Sequence, residues 1–204
     1  MNRLGGFFTE ASSWIWKIMQ LNLIWIVHIF LGGIILGVFP ATIAMFSITR
    51  RWLNDGLDEP LWRNFHSYYR KNFWKGNGLG WIYSFIGGFL LFDLYLVTQI
   101  RGFVALFSTM VILLLLIVYL FSFLYFFSYY VHFKHTFKSY LIQPFIITLI
   151  SLKQNVLIAI GLITIGYLIY QLPGLIPFVV GVMPAYWVMK ISLNHFQKME
   201  LKME

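Results

Sequence analysis

From Phe103 to Val131 the chain reads FVALFSTMVILLLLIVYLFSFLYFFSYYV, with no charged residue in the run. A helix needs about 20 predominantly apolar residues to cross a bilayer at about 1.5 Å rise per residue. This stretch exceeds that requirement, and the rest of the chain agrees with it. Hydrophobic residues make up 60% of the sequence, aromatic residues 20% and charged residues 11%, against about 25% charged in soluble domains. Four more segments meet the length test: 18–49, 79–98, 156–171 and 175–193. The expected fold is therefore an all-α integral membrane protein of about five transmembrane helices in a single membrane domain, 1–204. No remaining segment is long enough to fold a core of its own.

The 18–49 stretch is too long for one straight crossing, so a tilt, a projection or a kink at Pro40 is expected. Pro184 is the corresponding kink in 175–193, and Pro173, Gly174 and Pro177 read as the turn before it. The first apolar run is also too long for a signal-peptide core and lacks a small-x-small site, so Met1 is expected to begin the mature chain.

Two further segments look interfacial. In 1–17, Leu4, Phe7, Phe8, Ala11, Trp14 and Ile15 recur at helical spacing opposite Glu10, Ser12, Ser13 and Lys17. The 133–153 segment mixes Lys134, Lys138 and Gln143 with an apolar stripe, and Pro144 is expected to break it. A surface helix, an extension of the third span and a re-entrant segment all fit.

Five spans place 50–76, 132–155 and the C-terminus on one side. That side carries Arg50, Arg51, Arg63, Arg70, Lys71, Lys75, Lys134, Lys138, Lys153, Lys190, Lys198 and Lys202, against Arg3, Lys17 and Arg101 on the other. Positive residues are retained in the cytoplasm, so the N-terminus is expected outside and the C-terminus inside. The net charge of +8 is explained this way and not by nucleic acid, since the basic residues form no continuous face. With no cysteine there are no disulfides or thiolate sites.

The 50–76 connection is the one long polar stretch. Asp58, Glu59 and Pro60 read as a helix start, followed by Trp62, Phe65, Tyr69, Phe73 and Trp74 among Arg63, Arg70, Lys71 and Lys75. The segment is expected to be a cytoplasmic amphipathic helix, either an anchor on anionic lipid or a docking helix for a partner protein. Trp62, Phe65, Tyr69, Arg70, Lys71, Phe73 and Trp74 are the docking candidates.

Polar residues within spans are the other candidates. Asp93, with Arg101 eight positions on, is either structurally paired or an ion-coupling group. His28 reads as a buried hydrogen-bonding residue between helices in preference to a proton carrier. His132 and His135 share a helix-face spacing but have no carboxylate or cysteine nearby to complete a metal site. The pattern G-V-x-P-A-x-x-x-M occurs at 37–45 and again at 181–189, and F-x-S-Y-x-x-x-x-F at 65–73 and 137–145. A worn internal repeat and two similar kinks both fit. No phosphate-binding loop, H-E-x-x-H, G-x-S-x-G or paired-carboxylate pattern is present. No catalytic residue, metal site or cofactor is expected.

Leu23 to Pro40 with Ala41, Thr42 and Ala44, the Arg51 region, then Asn64, Phe65, Tyr69, Lys71, Asn72 and Phe73, and finally Leu91 with Asp93, resemble the YesL-like family of small bacterial membrane proteins. The resemblance covers the first half closely and the second mainly by span layout, departing at 133–153. It implies an all-helical protein of the bacterial cytoplasmic membrane, in a family commonly encoded beside carbohydrate ABC importers. The expected function is a non-enzymatic accessory subunit bound to the importer's permease subunits, and through them to its ATPase and solute-binding protein. The alternative is a small secondary transporter or channel, alone or as a homo-oligomer.

Overall fold

A computed structural model describes residues 3–56 and 60–200, with side chains from 11 to 199 outside the 57–59 gap. Asp58 and Glu59, read above as a helix start, lie outside the described residues, as do Lys202 and the side chains of Arg3, Leu4, Phe7, Phe8 and Glu10. Among the described residues every regular element is helical: α1 (Arg3–Leu31), α2 (Val38–Asp55), α3 (Leu61–Thr98), α4 (Phe103–His132), α5 (Phe137–Ile150), α6 (Leu152–Gln171), a single 3-10 turn (Pro173–Leu175), α7 (Ile176–Val179) and α8 (Val182–Glu200). Four stretches are long and apolar enough to cross a membrane: Ala11–Leu31, Leu61–Thr98, Phe103–His132 and Leu152–Gln171. A fifth crossing arises if Pro173–Val179 and Val182–Met199, bent by 58°, form one span. The protein is thus an all-α, multi-pass membrane protein.

The expected single helix over 18–49 is two helices. α1 ends at Leu31, and Gly33 (φ 67°) and Ile34 (φ 65°) reverse the chain before α2 begins at Val38. Positive φ is open to glycine and strained for a β-branched residue, so the Gly32, Gly33, Gly37 run is where the reversal falls. Pro40 does not kink a span. It sits in the first turn of α2, where a proline removes no intrahelical donor. Close contact of Ile29 with Gly37, a bond from Trp25 Nε1 to Thr42 (3.3 Å) and an edge-on Trp14–Trp52 pair (6.0 Å) show that α1 and α2 run antiparallel. The interfacial helix expected over 1–17 is the continuous start of α1. The expectation of an outside N-terminus rested on one crossing by 18–49, and this hairpin removes that premise.

Three other boundaries move. The segment expected as a cytoplasmic surface helix, 60–76, runs without interruption into the second span as α3, 38 residues and about 57 Å long. Pro144 does not break 133–153. It lies inside α5, and the break falls earlier, at 133–136. The fifth span, 175–193, is broken at Val180 and Gly181, and Pro184, like Pro40, lies in the first turn after the break. The two G-V-x-P-A copies therefore occupy the same position in α2 and α8, the helix start after a break.

Each of these breaks leaves backbone groups without helical partners, and in hydrocarbon no water replaces them. Buried side chains do. Asn22, fully buried in α1, donates from Nδ2 to Pro177 O (2.8 Å), and its Oδ1 accepts from Gly181 N (2.9 Å) and Val182 N (3.2 Å). The carboxamide inserts itself into the missing 181-to-177 helical bond. Asn77 donates to Leu36 O (2.9 Å), the carbonyl that Pro40 cannot reach. Asn155 donates to Thr148 O (2.8 Å) across the α5–α6 break. The Tyr83 hydroxyl lies 3.2 Å from Leu141 O and 3.4 Å from Tyr140 O, the carbonyl left open by Pro144.

One core joins these elements, and α2 is its centre, with Phe39, Ala41, Ile43, Ala44, Met45, Phe46, Ile48 and Trp52 all buried. Aromatic rings lie directly on glycines where helices approach: Phe39 on Gly80, Tyr119 on Gly87 and Trp187 on Gly161. A Cβ at any of these positions would overlap the ring.

Two outcomes follow. Replacing Asn22 by leucine leaves three backbone groups at the break without their partner and should lower unfolding stability by about 2 kcal/mol or more, read as a lower melting temperature in detergent. Because the chain lacks cysteine, single substitutions Ser12→Cys and Ser67→Cys can be labelled with an impermeant maleimide in oriented vesicles. Labelling from the same face is expected for the α1–α2 hairpin; opposite faces would restore the single crossing.

Candidate functional site

The seven docking candidates lie on α3, which divides them between two faces. Phe65 is fully buried and Tyr69 nearly so, while Phe73 packs against the core. On the other face Arg70 and Trp74, four apart, point outward with Arg63 and Lys71 beside them, while Trp62 and His66, though exposed in part, turn toward His28. Trp62 and Trp74 are 54% and 82% exposed. The face continues along the outer half of α3 through Trp81, Phe85, Phe89 and Phe92, all exposed. The inner face was missed because residues such as Phe65 and Tyr69 look equally suited to a headgroup belt. Their fixed phase against Arg70 and Trp74 was the available signal.

What the inner face covers is His28. This side chain is fully buried, with Nδ1 2.8 Å from Ile24 O and Nε2 3.2 Å from His66 Nδ1. The rings of Trp62, Phe65 and Tyr69 surround it at centroid distances of 5.2, 4.7 and 5.0 Å. A neutral imidazole whose Nδ1–H donates to Ile24 O leaves Nε2 to accept from His66. His28 thus ties α1 to α3 as a hydrogen-bonding residue between helices, in agreement with its sequence reading.

Asp93 and Arg101 are not brought together as an ion pair among the described residues. Asp93 instead lines a groove of about 400 Å³ between α3 and α4, with Leu96, Val97, Phe107, Ser108, Val111 and Ile112. The described residues contain no group of three or more His, Asp or Glu side chains placed to hold a metal. His135 bonds the Tyr129 hydroxyl (2.6 Å), and the His132 ring packs against Phe133 and Phe196. These two histidines serve packing at the end of α4.

Apolar helices, breaks repaired by buried amides and an outward aromatic-basic face define a multi-pass helical membrane protein without recognisable catalytic chemistry in its sequence. The chain belongs to the YesL-like family: the family described as "Protein of unknown function, DUF624" matches residues 18–94, the span from α1 through most of α3. Over 184 residues it is 30% identical to the uncharacterized protein YesV of Bacillus subtilis (strain 168), covering 90% of this chain and 88% of that one. It is 26% identical over 202 residues to the uncharacterized protein YteU of the same organism, covering 96% of this chain and 87% of the relative. With the uncharacterized protein YesL it shares 30% identity over 87 residues, 43% and 42% of the two chains. No solved structure matches it.

The two faces of α3 are separable by mutation. Phe65→Ala opens a cavity beside His28 and should cost about 3 kcal/mol of stability, whereas Trp74→Ala should leave the melting temperature within about a degree or two. Thermal unfolding in the same detergent compares them directly.

Proposed function

We propose that the protein is a non-enzymatic accessory subunit of the bacterial cytoplasmic membrane that binds the permease subunits of a carbohydrate ABC importer. The observation that supports this reading most is the outward face of α3. It presents Arg70 and Trp74 on one side of a single helix and continues into Trp81, Phe85 and Phe89. Tryptophan and arginine are the residues that dominate interface energies. Near the basic half a partner meets Trp and Arg; along the apolar half it meets a helix flank with Gly88 open beside Phe85 and Phe89, the small-and-large relief that lets membrane helices pack closely. Family membership supports the importer as partner through the company the family's members keep.

The rigid continuity of α3 sharpens this proposal. A surface anchor on a flexible tether has no fixed geometry relative to the spans, whereas here the basic-aromatic half and the apolar half are one rod. A permease bound along it is held at two depths at once.

A pull-down of the tagged protein from native membranes in mild detergent, analysed by mass spectrometry, tests the proposal. Permease and ATPase subunits should be recovered in amounts comparable to the bait. The double variant Arg70→Ala/Trp74→Ala should lose them while still inserting and melting normally. Recovery of the protein alone, or only as a homo-oligomer, would sink the accessory reading.

A further inference from the structure

Where the ends of α2 and α4 meet the middle of α3 and the 133–136 connection, the protein forms an open pocket of about 540 Å³ lined by Arg50, Lys71, Lys75, Lys134 and His135 with several tyrosines. No aspartate or glutamate among the described residues lines it. Among the described residues the ion pair seen near this end of α2 is between Arg51 and Asp55 (3.9 Å), outside the pocket. Four formal positive charges therefore face one concavity, with no carboxylate among the described residues lining it. Lys71 and Lys75 sit four apart on α3, a spacing at which like charges repel.

The basic groups are held in place. Arg50 donates from Nη1 to Val131 O (2.9 Å), fixing its guanidinium at the end of α4, while its Nε is buried without a partner. The Lys75 ammonium lies 4.5 Å from the centroid of the Tyr140 ring and 5.6 Å from that of Tyr130. Tyr130 is in turn fixed by its hydroxyl bond to Asn72 Oδ1 (3.0 Å), and Tyr140 by its bond to Phe133 O (2.9 Å). A cation seated on aromatic faces keeps its charge and leaves its donors directed elsewhere. The two halves of the F-x-S-Y pattern meet here, since Tyr68 and Tyr140 both line the pocket.

We infer that this pocket binds a phosphate-bearing anion. An arginine fork, three ammonium groups and an imidazole around a volume in the range of small-ligand sites match the charge and acceptor oxygens of a phosphate ester. A cation is repelled by that set, and a neutral sugar gains no charge attraction from it. The apolar run of α4 ends at His132, so the pocket opens at the membrane boundary. There the phosphate belongs to the headgroup of an anionic phospholipid or to a soluble phosphate ester, two sources with the same chemistry.

The test uses the full-length protein in nanodiscs. Two probes are compared: phosphatidylcholine discs with and without phosphatidylglycerol, and inorganic phosphate titrated onto the protein in phosphatidylcholine discs alone. Melting temperature and lipid retention in native mass spectrometry are the readouts. Stabilisation by phosphatidylglycerol assigns the lipid source, and stabilisation by inorganic phosphate in neutral discs assigns the soluble one. In either case Lys71→Gln/Lys134→Gln, both at exposed positions, should weaken binding by roughly fivefold per lysine removed. The control Lys190→Gln/Lys198→Gln removes equal charge outside the pocket and should leave binding within about twofold. Absence of any response to either probe, or an equal loss in the control variant, would overturn the inference. Circular dichroism of each variant in neutral discs separates lost binding from lost folding.

Discussion

A single carboxamide stands in for a helical hydrogen bond where Asn22 bridges Pro177 O and Gly181 N, and the C-terminal third of the protein depends on it. In a bilayer an unpaired peptide group has nowhere to turn, so a broken helix persists only where something inside the protein completes it. The same solution recurs with Asn77 at the α1–α2 reversal, Asn155 at the α5–α6 break and Tyr83 beneath Pro144. Each repairing side chain comes from an element other than the one interrupted, except Asn155, which reaches back from α6 across the break to α5. The breaks and the tertiary packing are therefore one feature: the chain can turn inside the protein only where a neighbour supplies the missing donor.

That arrangement explains why α2 can be the centre. It is the least apolar of the long helices by its ending, Arg50, Arg51, Asn54 and Asp55, yet its first half is buried on every side. Breaks before α2 and before α8 let both begin inside the protein, where glycine and small side chains admit close contact. Gly181 lies against Met45 and Trp25, so the two G-V-x-P-A helix starts belong to one packed region. Packing of rings onto glycines supplies much of what holds membrane helices together, since lipid gives apolar side chains no reason to leave it.

α3 converts this core into surface. Because Phe65 and Tyr69 are held against His28, the face with Arg70 and Trp74 is held outward at fixed phase. One turn further along, Lys71 and Lys75 face the neighbouring concavity with Arg50 from α2. The outward face suits a protein partner and the concavity suits an anion. Both owe their geometry to the same anchoring of α3 by the aromatic cluster.

The sequence by itself determined the class, the helical content and the family. Length and hydrophobicity set whether a segment can cross a bilayer, and these are local properties; the Phe103–Val131 run could be nothing else. It also marked the start of α3 at Pro60, whereas Pro40 and Pro184, read from the sequence as kinks within spans, fall in the first turns of α2 and α8. Only the tertiary structure decided that 18–49 is a hairpin, that α3 is one unbroken rod, that Phe65 and Tyr69 face inward, and that Asp93 and Arg101 form no ion pair among the described residues. Each of these depends on partners distant in sequence: Asn77 for the carbonyl of Leu36, His28 for the rings of α3, and Val131 for Arg50. Apolarity tells a residue to avoid water but cannot choose between lipid and protein, and in a membrane that choice rests on packing and on hydrogen bonds made across the fold.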